Sequence, residues 1–339
     1  MAYTYDNLRL EKGMYGEAGK SFTQVLEAAD PSENYRGTPL EGLDAFQRQL
    51  KRFDIRVGGV GSDPVEKFFQ TSSSAALFPE YVSRAVRQGM EQADVLPSIV
   101  ATVTKIDGMD YRTITSDLSE DDKTLKPVAE GAAIPETVVK TKSTLVKLQK
   151  RGRMLVSSYE AIRFQKLDLF TVTLRQIGAY IARAQLKDAI QVLMQGDDGK
   201  SPAGSISTAG NTPDYGDMVS LWGALAPYSM NTALASTAAM KDLLGITQFQ
   251  DSQAGLTFQG TGKLITPLGA NLIHVPGLEE KKIIALDKTC ALEMVQTGDI
   301  ITESDKLIDR QLERAVISTI TGFSRIFDGA CKILTYKSA

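Results

Sequence analysis

Residues 159–194 read YEAIRFQKLDLFTVTLRQIGAYIARAQLKDAIQVLM, and this stretch decides the fold. Leu167, Phe170, Leu174, Ile177, Ile181 and Ala184 recur at three- and four-residue spacing, the pattern of one helix face turned to a core. The spacing predicts a helix from about Tyr159 to Met194, roughly 50 Å long if unbroken. Gly178 softens it, and Gly196 with the turn GDDGKSP ends it. A helix of that length in a chain of 339 residues spans a whole domain, so it reads as a structural backbone.

Upstream, Pro79 opens a second helix, PEYVSRAVRQGMEQAD, at the first position that proline favours. Tyr81, Val82, Ala85, Val86 and Met90 give it one apolar face, and Pro97 closes the pattern. Residues 99–115 are rich in Val, Ile and Thr around Asp107-Gly108, a hairpin signal. The acids Asp117, Glu120, Asp121 and Asp122 follow. Residues 137–156 read as strand again, carrying Lys140, Lys142, Lys147, Lys150, Arg151 and Arg153 with no acid between the first and last. The two halves of this segment therefore carry opposite charge.

Downstream, residues 199–288 read as a separate α/β region. Met218–Leu225 and Ser236–Leu244 look helical, GTGKLITPLGANLIHVP looks like strand and turn, and KKIIALD looks like a buried strand. From Cys290 the chain reads as extended segments ending at KILTY. No internal repeat is visible. Residues 1–78 are polar and broken by Gly, Pro and Ser. Two short helical patterns interrupt them, Phe22-Val25-Leu26-Ala29 and Leu43-Phe46-Leu50-Phe53. Such a segment is expected to lack a core of its own and to need a surface to lie on.

The composition excludes several classes. With 38 basic and 41 acidic residues the net charge is −3, so no broad basic surface for nucleic acid is present. Cys290 and Cys331 form no CxxC and read as reduced, partly buried thiols. The N-terminus has no apolar signal core, and no stretch approaches the roughly 20 apolar residues of a membrane helix. A soluble protein made in a cytoplasm is expected, with no large N-terminal segment removed.

No site emerges, so the expectation is no catalytic, cofactor-binding or metal-ligating residue and no cofactor. The one histidine, His274, lies at a strand end and reads as structural, which removes most Ser-His, Cys-His and His-based zinc arrangements within one subunit. GMYGEAGKS at 13–21 resembles a phosphate loop, but Met14 stands where the first glycine belongs and no strand precedes it. GTGKL at 260–264 lacks the upstream glycine and the hydroxyl after Lys263. Ser324 sits in GFSRI rather than GxSxG. The pair Asp197-Asp198 sits in a turn and reads as solvated.

One stretch is recognisable. Residues 126–163, KPVAEGAAIPETVVKTKSTLVKLQKRGRMLVSSYEAIR, resemble the segment of tailed-bacteriophage major capsid proteins that leaves an extended loop and enters a spine helix. The family's "EG…IP" stretch, its Thr/Val/Lys-rich strand and its helix start have counterparts here, the last at Val156-Ser157-Ser158-Tyr159-Glu160-Ala161-Ile162. The closing residues 301–336, ITESDKLIDRQLERAVISTITGFSRIFDGACKILTY, are similar to the family's final strands. The resemblance covers about residues 79–339 through element order and spacing.

It implies an α+β, Hong Kong 97-like capsid fold: an N-terminal arm, an extended β-hairpin loop, a peripheral domain with a long spine helix, and an axial α/β domain. The corresponding spans are 1–78 for the arm, 101–154 for the loop, 79–100, 155–198 and 289–325 for the peripheral domain, and 199–288 with 326–339 for the axial domain. The implied function is a non-enzymatic shell of pentamers and hexamers enclosing phage double-stranded DNA, built in the bacterial cytoplasm and located in the virion. The implied partners are other copies of the chain, scaffolding and portal proteins, a decoration protein, and packaged DNA held non-specifically; no membrane is involved. No Lys–Asn crosslinking set can be matched. The alternative is an encapsulin-like compartment storing protein cargo, against which the length of the arm weighs. An enzyme on an α+β scaffold is the third class.

Overall fold

Reciprocal caps start the first helices. Ser21 accepts from the Gln24 amide while the Gln24 side chain accepts from the Ser21 amide, opening α1 (Phe22–Ala29). Asp44 and Gln47 repeat the arrangement for α2 (Ala45–Arg52), and Thr71 with Ser74 for α3 (Ser72–Ala75). The computed structural model describes residues 4–16, 20–115, 127–134, 139–158, 160, 164–208, 210–250, 268–307, 310 and 312–336. It divides into two compact units. One comprises Met1–Asp94, Arg151–Arg183 and Asp299–Thr319; the other comprises Val95–Lys150, Ala184–Gly298 and Ile320–Ala339.

The core of the first unit joins Phe22, Leu26, Phe46 and Leu50 of the early helices to Tyr81, Val82 and Val86 of α4 (Phe78–Ala93). Leu167, Phe170, Leu174, Ile177 and Ile181 of the long helix α5 (Leu167–Gln195) complete it. The first 78 residues, expected to lack a core of their own, thus place Phe22, Leu26, Phe46, Leu50, Val65 and Phe68 in the core of their own unit. Their polar look hid a buried pair. Arg48 donates from Nε to Asp30 at 2.8 Å with both side chains out of solvent, and Tyr35 donates to the same carboxylate at 2.5 Å. A paired and hydrogen-bonded charge can be buried where a lone one cannot.

The spine helix has 29 residues, about 43 Å. Its continuous run begins at Leu167 rather than near Tyr159: Glu160 and Phe164 are helical, but the chain leaves the helix at Gln165 and forms a bridge at Lys166. Val65 donates to the Gln165 carbonyl at 3.0 Å and Leu167 to that of Asp63 at 2.9 Å, flanking a bridge between Pro64 and Lys166. Residues 159 and 161–163 of the expected helix start lie outside the described residues. Gly178 does not soften the helix but packs it: a Cβ there would strike the Val86 carbonyl, and a Cβ on Gly89 of α4 would strike the backbone of Arg175.

The second unit is built on a five-stranded sheet. Its strands are β5 (Gly204–Ser207), β6 (Thr232–Ala235), β7 (Asn271–His274), β8 (Lys282–Leu286) and β11 (Cys331–Thr335), in the order β5-β11-β8-β6-β7. Ile284 and Leu286 face a cluster with Leu186, Ile190 and Leu193, whereas Ile283 and Ala285 face one with Met218, Leu221 and Leu243. The period of two puts alternate residues on opposite faces, and because both faces are covered the strand reads as one apolar run. Met218 and Leu221 belong to α6 (Tyr215–Ala224), and Leu243 to α7 (Thr237–Leu244); α8 (Thr247–Gln250) follows.

The remaining strands correct one expectation. A four-stranded sheet runs β1-β9-β10-β4, from β1 (Thr102–Ile106), β9 (Leu292–Leu307), β10 (Leu312–Arg325) and β4 (Gln149–Ser158). Asp107-Gly108 is not a hairpin turn, since β1 pairs in parallel with β9, Thr102 opposite Glu293. The hairpin lies further on, where β2 (Ile114–Thr115) pairs antiparallel with β3 (Lys140–Thr141). The chain from Asp107 to Thr113 is too long for a two-residue turn, so the local signal loses to a distant partner.

Gly178→Ala should cost about 3 kcal/mol or more, because a backbone carbonyl cannot move aside as a side chain can. Leu174→Asp buries an unpaired charge in the same core and should give insoluble protein. Thermal melting and soluble yield check both; a wild-type melt for Gly178→Ala would show that the helices can separate freely.

Candidate assembly surfaces

The base of the hairpin is tied to β9 by one buried carboxylate. Glu293 is only 4% exposed and accepts from Thr104 Oγ1 at 2.5 Å, from Tyr111 OH at 2.8 Å and from Thr113 Oγ1. Burial, and then donation to Glu293, push the Tyr111 phenol above its ordinary pKa. Backbone bonds continue the tie: Lys142 donates to the Thr113 carbonyl and Val146 to that of Tyr111, each at 2.9 Å.

A second tie holds the returning arm. Lys142 Nζ donates to Asp197 Oδ2 at 2.9 Å and to the Arg325 carbonyl. Asp197 also accepts from Ser324 Oγ and the Arg325 amide, both at 2.8 Å. Asp197 is therefore not a solvated turn acid; the turn points it inward at a strand end and a lysine. Asp198 is the exposed member, and amides of the turn lower its pKa by donating to it.

The charged residues of the loop divide accordingly. Lys142 is engaged within the unit, while Lys140, Lys147, Lys150 and Arg153 are exposed. Arg151 is half-buried, and Asp117, Glu120, Asp121 and Asp122 lie outside the described residues. The loop exposes apolar side chains: Ile134 beyond the hairpin base is 79% in solvent, and Met109 before it, Ile114 within it and Val139 are also exposed. In the first unit, Val60 is fully exposed and Phe164 is 76% exposed. With Leu169 they line an open groove of about 580 Å³. Contiguous exposed apolar surface of this kind marks places where another surface docks.

The sequence held no signal for the groove, since Val60 and Phe164 are far apart in the chain. For Glu293 a signal was present: a lone acid inside the apolar run ALEMV, in a chain with the Thr-rich strand TVTK. His274 Nε2 stands 2.9 Å from Thr237 Oγ1 at the end of β7. Among the described residues no group of three or more His, Cys, Asp or Glu could hold a metal ion. Cys290 and Cys331 are free, and burial pushes the Cys331 thiol up to about 12. The loop-like motif at 13–21 is broken by a 3₁₀ turn at Lys12–Gly16, and Ser21 caps α1 instead. GTGKL lies outside the described residues. Among the described residues, no helix is long and apolar enough to cross a membrane.

A model of the family described as "phage capsid protein" matches residues 141–320, more than half of the chain. The chain belongs to the phage capsid protein family. No curated protein sequence matches this capsid chain. Solved structures share its fold at low identity. The virus-like particle from Pyrococcus furiosus superposes with a TM-score of 0.51 at 12% identity, over 75% of this chain and 98% of that one. The capsid of the native GTA particle superposes with 0.53 at 16%, over 72% and 90%; the empty GTA particle gives 0.52 at 15%, over the same shares. The fold is thus the α+β Hong Kong 97-like capsid fold, and the chain is a major capsid protein of a phage virion.

Glu293→Ala should leave three hydroxyls short of their acceptor, costing about 1–3 kcal/mol locally. Amide exchange at 111–115 and 140–146 should then quicken while exchange in β8 and β11 stays slow; equal protection in wild type and variant would show that the backbone bonds alone hold the loop.

Proposed function

We propose that the chain assembles as pentamers and hexamers into an icosahedral shell around phage double-stranded DNA. The observation that carries this is the pair of apolar surfaces, one on the extended loop around Ile134 and Ile114, one on the first unit around Val60, Phe164 and Leu169. Exposed apolar area of that extent is unfavourable in a lone subunit, and symmetry lets each copy cover the next. The loop of one subunit docks over the groove of another. Exposed Lys147 and Lys150 with Arg151 steer it toward complementary charge, setting encounter rate and register more than affinity.

In this reading, residues 1–78 remain the N-terminal segment, 101–154 the extended loop, 79–100, 155–198 and 289–325 the peripheral domain, and 199–288 with 326–339 the axial domain. These are divisions of role in a shell. Assembly takes place in the bacterial cytoplasm with scaffolding and portal proteins and a decoration protein. DNA contacts the inner face without sequence preference, in keeping with a net charge of −3. The shell carries no enzymatic activity of its own.

A second reading is a compartment shell filled with protein. The Pyrococcus furiosus virus-like particle shares the fold over 98% of its chain, and a shared fold does not choose between the two contents. Purified particles should contain nuclease-protected DNA; protein cargo without DNA would decide for the compartment.

Phe164→Asp and Ile134→Asp should each leave a soluble, normally melting subunit that fails to form shells in light scattering. Normal shells from both would remove the loop-to-groove contact. Reversing Lys147, Lys150 and Arg151 to Glu should slow assembly at low salt and less so at high salt, where the Debye length falls to a few ångströms. Equal kinetics at both salt levels would leave those charges to solubility alone.

A further inference from the structure

The chain has one tryptophan, Trp222, and 51% of it is in solvent. α6 turns Met218 and Leu221 into the core and leaves Val219, Trp222, Gly223 and Ala224 outside. An indole is among the most buried side chains on average, and on surfaces it is concentrated where another protein docks. It brings a large rigid area and one N–H donor at small entropic cost. The small residues after it let a neighbouring backbone come close.

The same unit holds a receptor of fitting chemistry. The start of α6, the end of α7 and the turn into α8 border an open groove of about 630 Å³. Pro213, Tyr215 and Ile246 line it beside Lys241 and Thr247, whose hydroxyl oxygen can accept an N–H; Asp214 and Asp242 also border it, already accepting from the Asp217 amide and the Tyr336 hydroxyl. Trp222 does not line the groove of its own chain. Tyr215 and Trp222 are seven residues apart, so they share one helix face about 10 Å apart. Protrusion and groove side by side make a self-complementary surface. A second copy brought against this face can present its indole to the groove, as successive subunits of a symmetric ring do.

We propose that Trp222, supported by Val219, is an inter-subunit anchor that inserts into the Pro213-Tyr215-Ile246 groove of a second copy of this chain. The inference rests on the shell reading above and adds a contact separate from the extended loop.

Because Trp222 is the sole tryptophan, its emission reports on this contact alone. Full-length protein is followed by fluorescence and light scattering across a concentration series, with subunit melting as the folding control. Wild-type emission should shift to the blue as shells form. Trp222→Ala should raise the concentration for half-assembly about tenfold or more, the effect of losing a buried aromatic anchor. Thr247→Arg fills the groove while keeping the indole; it should weaken assembly similarly and abolish the blue shift. Wild-type shells with emission as red as free subunits overturn the proposal, and so does wild-type assembly by either variant. Emission already blue in dissociated subunits also overturns it, placing the cover within the same chain. A wild-type chain that never assembles overturns the shell reading, and this contact with it.

Discussion

The first unit depends on how closely α4 and α5 approach. Gly89 and Gly178 stand at the crossing, and each leaves room only for the other helix's backbone. That proximity lets Tyr81, Val82 and Val86 reach Leu174, Ile177 and Ile181, and the early helices then pack on the combined face. Any side chain at either glycine would push the helices apart and open the core, where density close to that of a crystal leaves no slack. The glycines give up some helix propensity for that fit.

Two scales of order meet in the second unit. Its sheet is covered on both faces, so the interior of β8 is fully apolar. The extended loop has no such cover. It is held at its base by polar contacts, Glu293 with three hydroxyls and Lys142 with Asp197, and carries exposed apolar residues beyond. The base is fixed by directional bonds, while Ile134 and Val139 stand in solvent beyond it.

Much of this was legible in the sequence. The heptad-like spacing from Leu167 to Ile181 announced the spine, Pro79 its neighbour, and KKIIALD the central strand. These elements follow local periodicity, which burial on one face or two stamps on the chain. The break at the start of the spine was not legible, because it is made by a bridge between Pro64 and Lys166, about a hundred residues apart, that interrupts the helical pattern between Phe164 and Leu167. Asp107-Gly108 misled because a parallel partner nearly two hundred residues away captured β1. The N-terminal core stayed hidden for a similar reason: its apolar residues are spread over short helices, and the buried Arg48–Asp30 pair looks like surface. Of the assembly surfaces, the charge of the loop was visible, whereas the groove at Val60 and Phe164 exists only once distant segments meet.

The first unit is assembled from three separate stretches of chain, the last ending at Thr319. On a ribosome, its opening helices emerge long before Leu167–Ile181 exist to cover them, and the final strands come roughly two hundred residues after Asp94. At bacterial elongation speeds of about 5–20 residues per second, that is a delay of roughly 10–40 seconds. The covering residues Leu167–Ile181 arrive earlier, about 70–90 residues after Asp94, and until then the nascent N-terminus holds apolar residues without their cover, the interval in which a holding chaperone has most to do. A polypeptide released before Thr319 therefore cannot complete this unit.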